Sequence, residues 1–232
     1  MTDKPDSSVA GSFIAGLGYR KGILDKRKLT PVSVVVHTTG GGILARFDRE
    51  GAKKGDASPL ETAVRVYSKI MTSSGHYVIG QRGECVQMVP EMTVAQHVGS
   101  AKSRAYYLPR EKWLSPELAW WSSRWPGMNS PLDLAGGNLW RNGSCNQSTI
   151  GIEVVPPLTG AREPWSVECW DTLARLALDI CARHSIQADA EHVVTHSDAH
   201  PISRTAQGSA WDPSINQWGW ELMRRALSGS SR

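Results

Sequence analysis

The sequence has few cysteines and no long apolar run, and each shortage argues against a class of protein. Four cysteines occur in 232 residues, without a CxxC spacing, and two of them fall within one predicted helix. This pattern argues against a disulfide framework and against a zinc knuckle built from cysteines, so we predict buried free thiols. They are Cys85, Cys145, Cys169 and Cys181. No stretch approaches the roughly 20 apolar residues of a membrane span, so membrane insertion is not expected.

The N-terminal stretch lacks the layout of a secretory signal peptide. MTDKPDSSVAGSFIAGLGYRKG places an acidic residue before its first basic one and has only a short apolar run, broken by glycine. We therefore expect a protein that is soluble and cytoplasmic at synthesis. The net charge of +4 is modest and spread along the chain, which suits a polyanionic partner without requiring nucleic acid.

The length of the chain favours one domain over two. We predict an enzyme-sized domain over residues 31–227, preceded by a polar lead-in at 1–30 and carrying an insertion at about 102–147. The chain has ten tryptophans but only two phenylalanines, and five of the tryptophans lie in this insertion. Because an indole ring buries a large apolar area, we interpret them as packing residues, with stacking on sugar rings as the alternative.

Strand and helix signals alternate along the chain, which predicts an α/β fold. The β-branched run VSVVV at 32–36 is typical of a strand buried on both faces of a sheet. A hairpin is predicted at 76–90, a strand at 149–155, and a short strand in HVVT at 192–195.

Amphipathic patterns predict helices at 59–71, 164–184 and 218–227. The second is the clearest, and Ser166 is placed to cap its N-terminus. Its predicted apolar face consists of Val167, Trp170, Ala174, Ala177, Leu178 and Cys181.

Histidines stand at the ends of two predicted strands. His37 follows VSVVV, and His196 follows HVVT. Sites in α/β folds open at the carboxyl ends of strands, so neighbouring strands would let these two imidazoles share a metal ion with an oxygen ligand from the following loop. His192 and His200 each lie four residues from His196, as two ligands on one helix would. That alternative lacks the glutamate of HExxH, and Pro201 would interrupt the helix.

Five sequence blocks occur in a fixed order: VVVHTTGGG, SGHYVIGQRGECVQMVPE, VAQHVGS, NQSTIGIEV, and THSDAHP with a downstream DP. Together they resemble the N-acetylmuramoyl-L-alanine amidases of the amidase-2 type, the family related to phage T7 lysozyme and the peptidoglycan recognition proteins. The resemblance covers about residues 32–215. It implies a central mixed β-sheet flanked by helices, one zinc ion, and hydrolysis of the amide between N-acetylmuramic acid and L-alanine in peptidoglycan.

Transferred to this sequence, the metal ligands of the family fall on His37, His196 and Asp212. Three protein ligands leave the fourth position of a tetrahedral zinc ion open to water. The spacing between His196 and Asp212 is long, so Asp198 and His200 are kept as alternative third ligands. His192 is expected to stand beside the site without binding the metal.

The resemblance also implies residues that act on the substrate. Glu153 matches the glutamate that serves many members as general base. His76 and His97 match histidines common in these blocks and are expected to line the substrate groove. The lysine that many members place about two residues before the third ligand is absent, since Ala210 stands there. Counted from the HSD motif, Arg204 takes its place and is expected to donate to the oxyanion.

Two other functions remain as alternatives. A peptidoglycan-binding module without activity would follow if Asp212 did not bind the metal. A cysteine peptidase using Cys85 or Cys145 would need an environment that favours the thiolate, which nothing in the sequence indicates. As an amidase, the protein would act on the cell wall as a phage endolysin, a tail lysin, a delivered antibacterial effector or a wall-recycling enzyme. The lead-in and the insertion are candidate docking surfaces for a delivery partner.

Overall fold

The computed structural model describes residues 4–22, 24–70, 75–98, 145–159, 164–189 and 192–196. Among these residues, six strands form one sheet in the order β1-β4-β3-β5-β2-β6. The strands are β1 (Ser12–Phe13), β2 (Ser33–Thr38), β3 (Tyr77–Ile79), β4 (Cys85–Gln87), β5 (Thr149–Val154) and β6 (Val193–Thr195). The helices are α1 (Leu17–Arg20), α2 (Gly40–Arg46), α3 (Pro59–Tyr67) and α4 (Val167–His184). The predicted mixed sheet flanked by helices is confirmed.

The centre of the sheet is parallel. β2 lies between β5 and β6 and pairs in parallel with both, while β3 pairs in parallel with β5. The predicted hairpin is the antiparallel pair of β3 and β4, and its turn contains Gly83 with a φ of 78°. Because parallel strands run in one direction, the carboxyl ends of β2, β5 and β6 meet at one edge of the sheet.

Alternate residues of the central strands face opposite sides of the sheet, and one side is covered by α4. The core on this side contains Val34, Val36, Ile150, Ile152, Val154 and Val193 of the sheet with Leu173, Leu176, Ala177 and Ile180 of α4. The predicted apolar face of α4 is displaced from the buried one. Val167 and Leu178 are 81% and 38% exposed, because the ridge that meets the sheet runs through Cys169, Leu173 and Ile180.

The opposite side of the sheet has an apolar part and a polar part. α2 and α3 pack over Val78, Val86 and Met88, while β2 and β5 carry polar side chains on this side. The sequence did not predict α2, which begins at Gly40 and continues through a π-helical turn, Phe47–Gly51, to a 3₁₀ turn, Ala52–Lys54. Glycine has a low helix propensity, so the run TTGGG gave no helix signal.

The segment predicted as a polar lead-in contributes to the sheet. β1 pairs in parallel with β4, and the Asp6 carboxylate accepts a hydrogen bond of 2.7 Å from Gln87 Nε2. Arg27 is buried beneath the loop that follows β4. These contacts join residues about 60 to 80 positions apart, so tertiary packing rather than local propensity places the segment in the domain.

The cysteines are buried free thiols, as predicted. Burial raises the pKa of each thiol to about 12, so the nucleophilic thiolate is scarce at neutral pH. This environment does not favour a cysteine peptidase. No helix in the described part of the chain has the length and apolar content needed to cross a membrane.

A buried carboxylate joins α4 to the loop after β4. Glu91 accepts a hydrogen bond of 2.6 Å from the Tyr77 hydroxyl and one of 2.7 Å from Arg183 Nη2, and His184 Nε2 lies 2.6 Å from its other oxygen. Burial alone would raise the pKa of Glu91, but the hydrogen bonds from His184, Arg183 and Tyr77 lower it to about 2. The C-terminal turn of α4 is therefore held to the loop after β4 by the Glu91 carboxylate, whose charge is stabilised by these three partners.

The low pKa of Glu91 predicts how stability depends on pH. The folded-state pKa of about 2 lies below the ordinary glutamate value of 4.5, so the contribution of Glu91 to stability is complete above pH 4.5 and is lost as the pH falls towards 2. We expect Glu91→Gln to lower the free energy of unfolding at pH 7 by on the order of 3 kcal/mol and to flatten its decline in acid. Urea unfolding at pH 7, 5 and 3 measures both effects.

Glu50→Gln is the matched control, because Glu50 forms an exposed pair with Lys54 four residues along the chain. Its acid dependence should stay close to that of the parent protein. A parallel decline of the parent and the Glu91→Gln variant between pH 5 and 3 would show that Glu91 does not have the low pKa.

Candidate functional site

The polar side of the sheet brings three predicted site residues to one edge. His37 of β2 is the register partner of Glu153 of β5, and Val36 is the partner of Thr195, the residue before His196. Val36 faces α4, so the alternation of side chains places His37, Glu153 and His196 on the other side of the sheet. The strands that carry the two histidines are therefore neighbours, which is the condition for the two imidazoles to meet.

Three buried imidazoles lie in contact at this edge. His37 Nδ1 is 2.8 Å from His196 Nδ1, and His37 Nε2 is 2.9 Å from His97 Nδ1. The rings meet edge to face, with centroids 4.6 and 5.0 Å apart. Each of the three side chains is more than nine-tenths buried. His37 therefore stands at the centre of the group and uses both ring nitrogens.

His97 is held in place by the segment that leads into β5. Asn146 Oδ1 accepts hydrogen bonds from the backbone amides of His97 and Val98, and its Nδ2 donates to the Val98 carbonyl. The His97 ring contacts the Thr149 hydroxyl through Nε2 at 3.1 Å. Burial and the charge of Arg27 lower the pKa of His97 to about 3, against a smaller opposing effect of the Thr149 backbone. The ring is therefore neutral at physiological pH.

Two glycines make room for site residues. A Cβ atom on Gly151 would lie 2.4 Å from His97 Cγ, and one on Gly75 would lie 2.8 Å from Glu153 Cγ. Neither distance is compatible with a side chain, so the glycines are required by close approach rather than by backbone conformation. Gly151 lies on the same face of β5 as Thr149 and Glu153, because every second residue of a strand faces the same side.

His76 lies inside the protein. Its Nδ1 accepts a hydrogen bond of 2.9 Å from the Gly151 amide, and its Nε2 lies 3.0 Å from the Thr93 carbonyl. Burial, together with Arg27, lowers its pKa well below the usual value. The side chain has no exposed surface and acts as a neutral internal hydrogen-bonding group, while its expected place in the substrate groove stays a prediction.

Arg27 supports the site from inside the protein, a role that the sequence did not reveal. Its guanidinium donates to the carbonyls of Glu91, Asn146, Gln147 and Thr149 at 2.7 to 3.1 Å. Burial lowers its pKa to about 10, against the opposing charge of Glu91, so it is protonated at neutral pH. One buried cation thus ties the loop after β4 to the turn at Cys145–Gln147 and the start of β5.

Four predicted site residues lie outside the described part of the chain: Asp212 and Arg204, and the alternative ligands Asp198 and His200. The insertion up to residue 144 and the predicted helix at 218–227 also lie outside it. Within the described residues, no group of three His, Cys, Asp or Glu side chains is arranged to hold a metal. His192 is described, and its Nδ1 lies 2.6 Å from Asp189.

The contact of Gly151 with His97 can be tested by adding one methyl group. We expect Gly151→Ala to lower the free energy of unfolding by about 1 to 3 kcal/mol, because the ring cannot retreat from Thr149 and His37 without losing hydrogen bonds. Thermal unfolding and the imidazole NMR signals measure the change. Gly11→Ala is the control, since its Cβ would meet nothing nearer than 3.8 Å. Equal melting temperatures for the two variants would contradict the close packing of His97.

Comparison with known proteins identifies the family. The sequence profile of Amidase_2, N-acetylmuramoyl-L-alanine amidase, matches residues 27–214. A comparison with curated protein sequences gives no match. The fold is similar to a selenomethionine derivative of AmpD, with a TM-score of 0.50 and 19% identity over 98% of both chains.

Two further solved structures are similar at lower scores. The Ph2119 endolysin from Thermus scotoductus MAT2119 bacteriophage Ph2119 has a TM-score of 0.45 and 14% identity, over 90% of this chain and 95% of that one. The N-acetylmuramoyl-L-alanine amidase LysC from Clostridium intestinale URNW has a TM-score of 0.43 and 14% identity, over 86% of this chain and 87% of that one. The assignment depends on the profile, which spans most of the sequence and confirms the resemblance. This chain belongs to the Amidase_2 family of N-acetylmuramoyl-L-alanine amidases.

Proposed function

We propose that this protein is a zinc-dependent amidase that hydrolyses the bond between N-acetylmuramic acid and L-alanine in peptidoglycan. The observation that carries the proposal is the 2.8 Å approach of His37 Nδ1 to His196 Nδ1, on the face of the sheet that also carries Glu153. The substrate and the bond to be cleaved are inferred from membership of the amidase family.

The residues present fit a zinc ion. Two buried imidazole nitrogens that face each other form a donor pair that zinc prefers, so His37 and His196 would hold the ion. The other nitrogen of His37 contacts His97, as a metal-binding histidine usually contacts a further protein group. Asp212 is proposed as the third ligand on the basis of the family match.

The chemistry divides between the ion and the side chains around it. When bound, zinc would acidify a water molecule and polarise the scissile carbonyl. Glu153, which is 9% exposed, would take a proton from the attacking water and deliver it to the nitrogen of L-alanine as the C–N bond breaks. The pairing of Glu153 with His37 in the sheet register supports this role, because it puts the carboxylate on the same face of the sheet as the proposed ligands.

The activity test is mass spectrometry of purified peptidoglycan after digestion with the zinc-loaded protein. We expect release of intact stem peptides that begin with L-alanine. His196→Ala should lose both the zinc ion and the activity, because it removes a ligand. Glu153→Gln should retain one equivalent of zinc while kcat falls by a factor of about 10² to 10⁴, since it removes only the base.

His192→Gln is the matched control, because His192 lies four residues from His196 but contacts Asp189. It should keep both zinc and activity. Absence of stem peptides from several wall types, with one equivalent of zinc bound to the parent protein, would contradict the proposal and favour the peptidoglycan-binding module.

Arg204 is proposed to donate to the oxyanion that forms during attack on the carbonyl. We expect Arg204→Ala to lower kcat on a muropeptide about 10²- to 10³-fold with little effect on zinc content, because a transition-state donor is lost. Arg204→Lys should recover part of the rate, since the charge is kept without the planar donor geometry. An unchanged kcat in Arg204→Ala would refute this role.

A further inference from the structure

We propose that Thr149 and His97 form a hydrogen-bond relay that fixes which ring nitrogen of His37 carries the proton. The histidine relay, as we call it, runs from the Cys145 carbonyl through Thr149 and His97 to His37. It makes His97 a positioning residue for a metal ligand. Its purpose rests on the proposed zinc site, but its direction follows from contacts among the described residues alone.

The relay begins at a group that can only accept. Thr149 Oγ1 lies 2.8 Å from the Cys145 carbonyl oxygen. Two oxygens approach this closely only when a proton lies between them, and the carbonyl has none to give. The single hydroxyl proton of Thr149 therefore points to Cys145, and its lone pairs remain for other donors.

The direction then passes from ring to ring. His97 Nε2 lies 3.1 Å from Thr149 Oγ1, which can only accept here, so His97 Nε2 carries the proton. The neutral ring then has a lone pair at Nδ1, 2.9 Å from His37 Nε2. His37 must donate from Nε2, which leaves a lone pair on its Nδ1. That lone pair faces His196 Nδ1 at 2.8 Å, and in the metal-free protein His196 donates to it.

The relay is rigid because its middle member has no alternative position. Gly151 provides the space for the His97 ring, and Asn146 holds its backbone by the amides of residues 97 and 98. Arg27 binds the carbonyls of residues 146, 147 and 149, which fixes the turn that carries the Cys145 acceptor. Rotation of the ring would break contacts with both Thr149 and His37.

The consequence concerns the readiness of His37 to bind a cation. A metal ligand must offer a lone pair, and the relay keeps that lone pair on the nitrogen that faces His196 before any ion arrives. The proton on His196 Nδ1 must leave that nitrogen on metal binding whether or not the relay is intact. A His37 ring that binds through Nδ1 must carry its proton on Nε2, and the relay keeps His97 Nδ1 as the acceptor for that proton. If the relay were broken, a fraction of the molecules would hold the proton on His97 Nδ1, where it would face the His37 Nε2 proton, so the apparent affinity would fall.

The first test uses the metal-free protein and is independent of activity. Long-range ¹H–¹⁵N correlation spectra distinguish a protonated ring nitrogen from one with a lone pair, and His37→Gln identifies the His37 signals by their loss. We expect His37 and His97 both to be protonated at Nε2. Protonation of His37 at Nδ1 would overturn the proposal.

The second test measures zinc affinity by competition with a chromophoric chelator. Thr149→Val keeps the shape of the side chain but removes the acceptor, and we expect it to weaken zinc binding about 10- to 100-fold and to alter the His37 tautomer. Thr149→Ser keeps a hydroxyl and should restore both properties. Thr172→Val is the control, since Thr172 is another buried hydroxyl, donating to the Gly83 carbonyl from α4. It should affect stability without changing zinc affinity.

The outcomes separate the relay from the proposed function. Unchanged zinc affinity in Thr149→Val would overturn the positioning role of the relay, whether or not the parent protein cleaves peptidoglycan. Equal losses in Thr149→Val and Thr172→Val would also overturn it, because a general loss of stability would then explain both. Failure of the parent protein to release stem peptides would contradict the amidase and leave the tautomer result standing.

Discussion

The register between β2 and β5 is the constraint on which the site depends. It sets His37 opposite Glu153, and pairing of β2 with β6 brings His196 beside His37. A slip of one residue in either pair would turn the polar residues towards α4 and the apolar ones away from it. The apolar core under α4 therefore fixes the register, and the position of the histidines on the other face follows from it.

The polar face needs its own support, because neutral imidazoles and a carboxylate are costly to bury without hydrogen bonds. Arg27 supplies much of that support. Its donors satisfy carbonyls from the loop after β4, the turn before β5 and the first residue of β5. Burial lowers the pKa of His76 and His97, and the charge of Arg27 lowers it further, so both rings stay neutral. One residue thus contributes to both the geometry and the protonation of the site's surroundings.

The sequence predicted what local periodicity determines. The β-branched runs gave β2 and β5, the amphipathic patterns gave α3 and α4, and strand ends drew attention to His37 and His196. Arg27 could not be found in this way, since it lies in the charged run LDKRK and its carbonyl partners come from segments more than 60 residues away. The burial of His76 was likewise invisible, because it depends on loops that close over the sheet only in the folded chain.

The polar residues and the glycine of the block NQSTIGIEV all contribute to the same site. Asn146 clamps the backbone of the segment that carries His97, Thr149 orients its ring, and Gly151 leaves space for it. Glu153 then completes the same face beside His37. Thr149, Gly151 and Glu153 are spaced by two because they share one face of a strand, while the isoleucines between them enter the core under α4. The same strand therefore serves stability on one face and the site on the other, and neither set of residues can shift without the other.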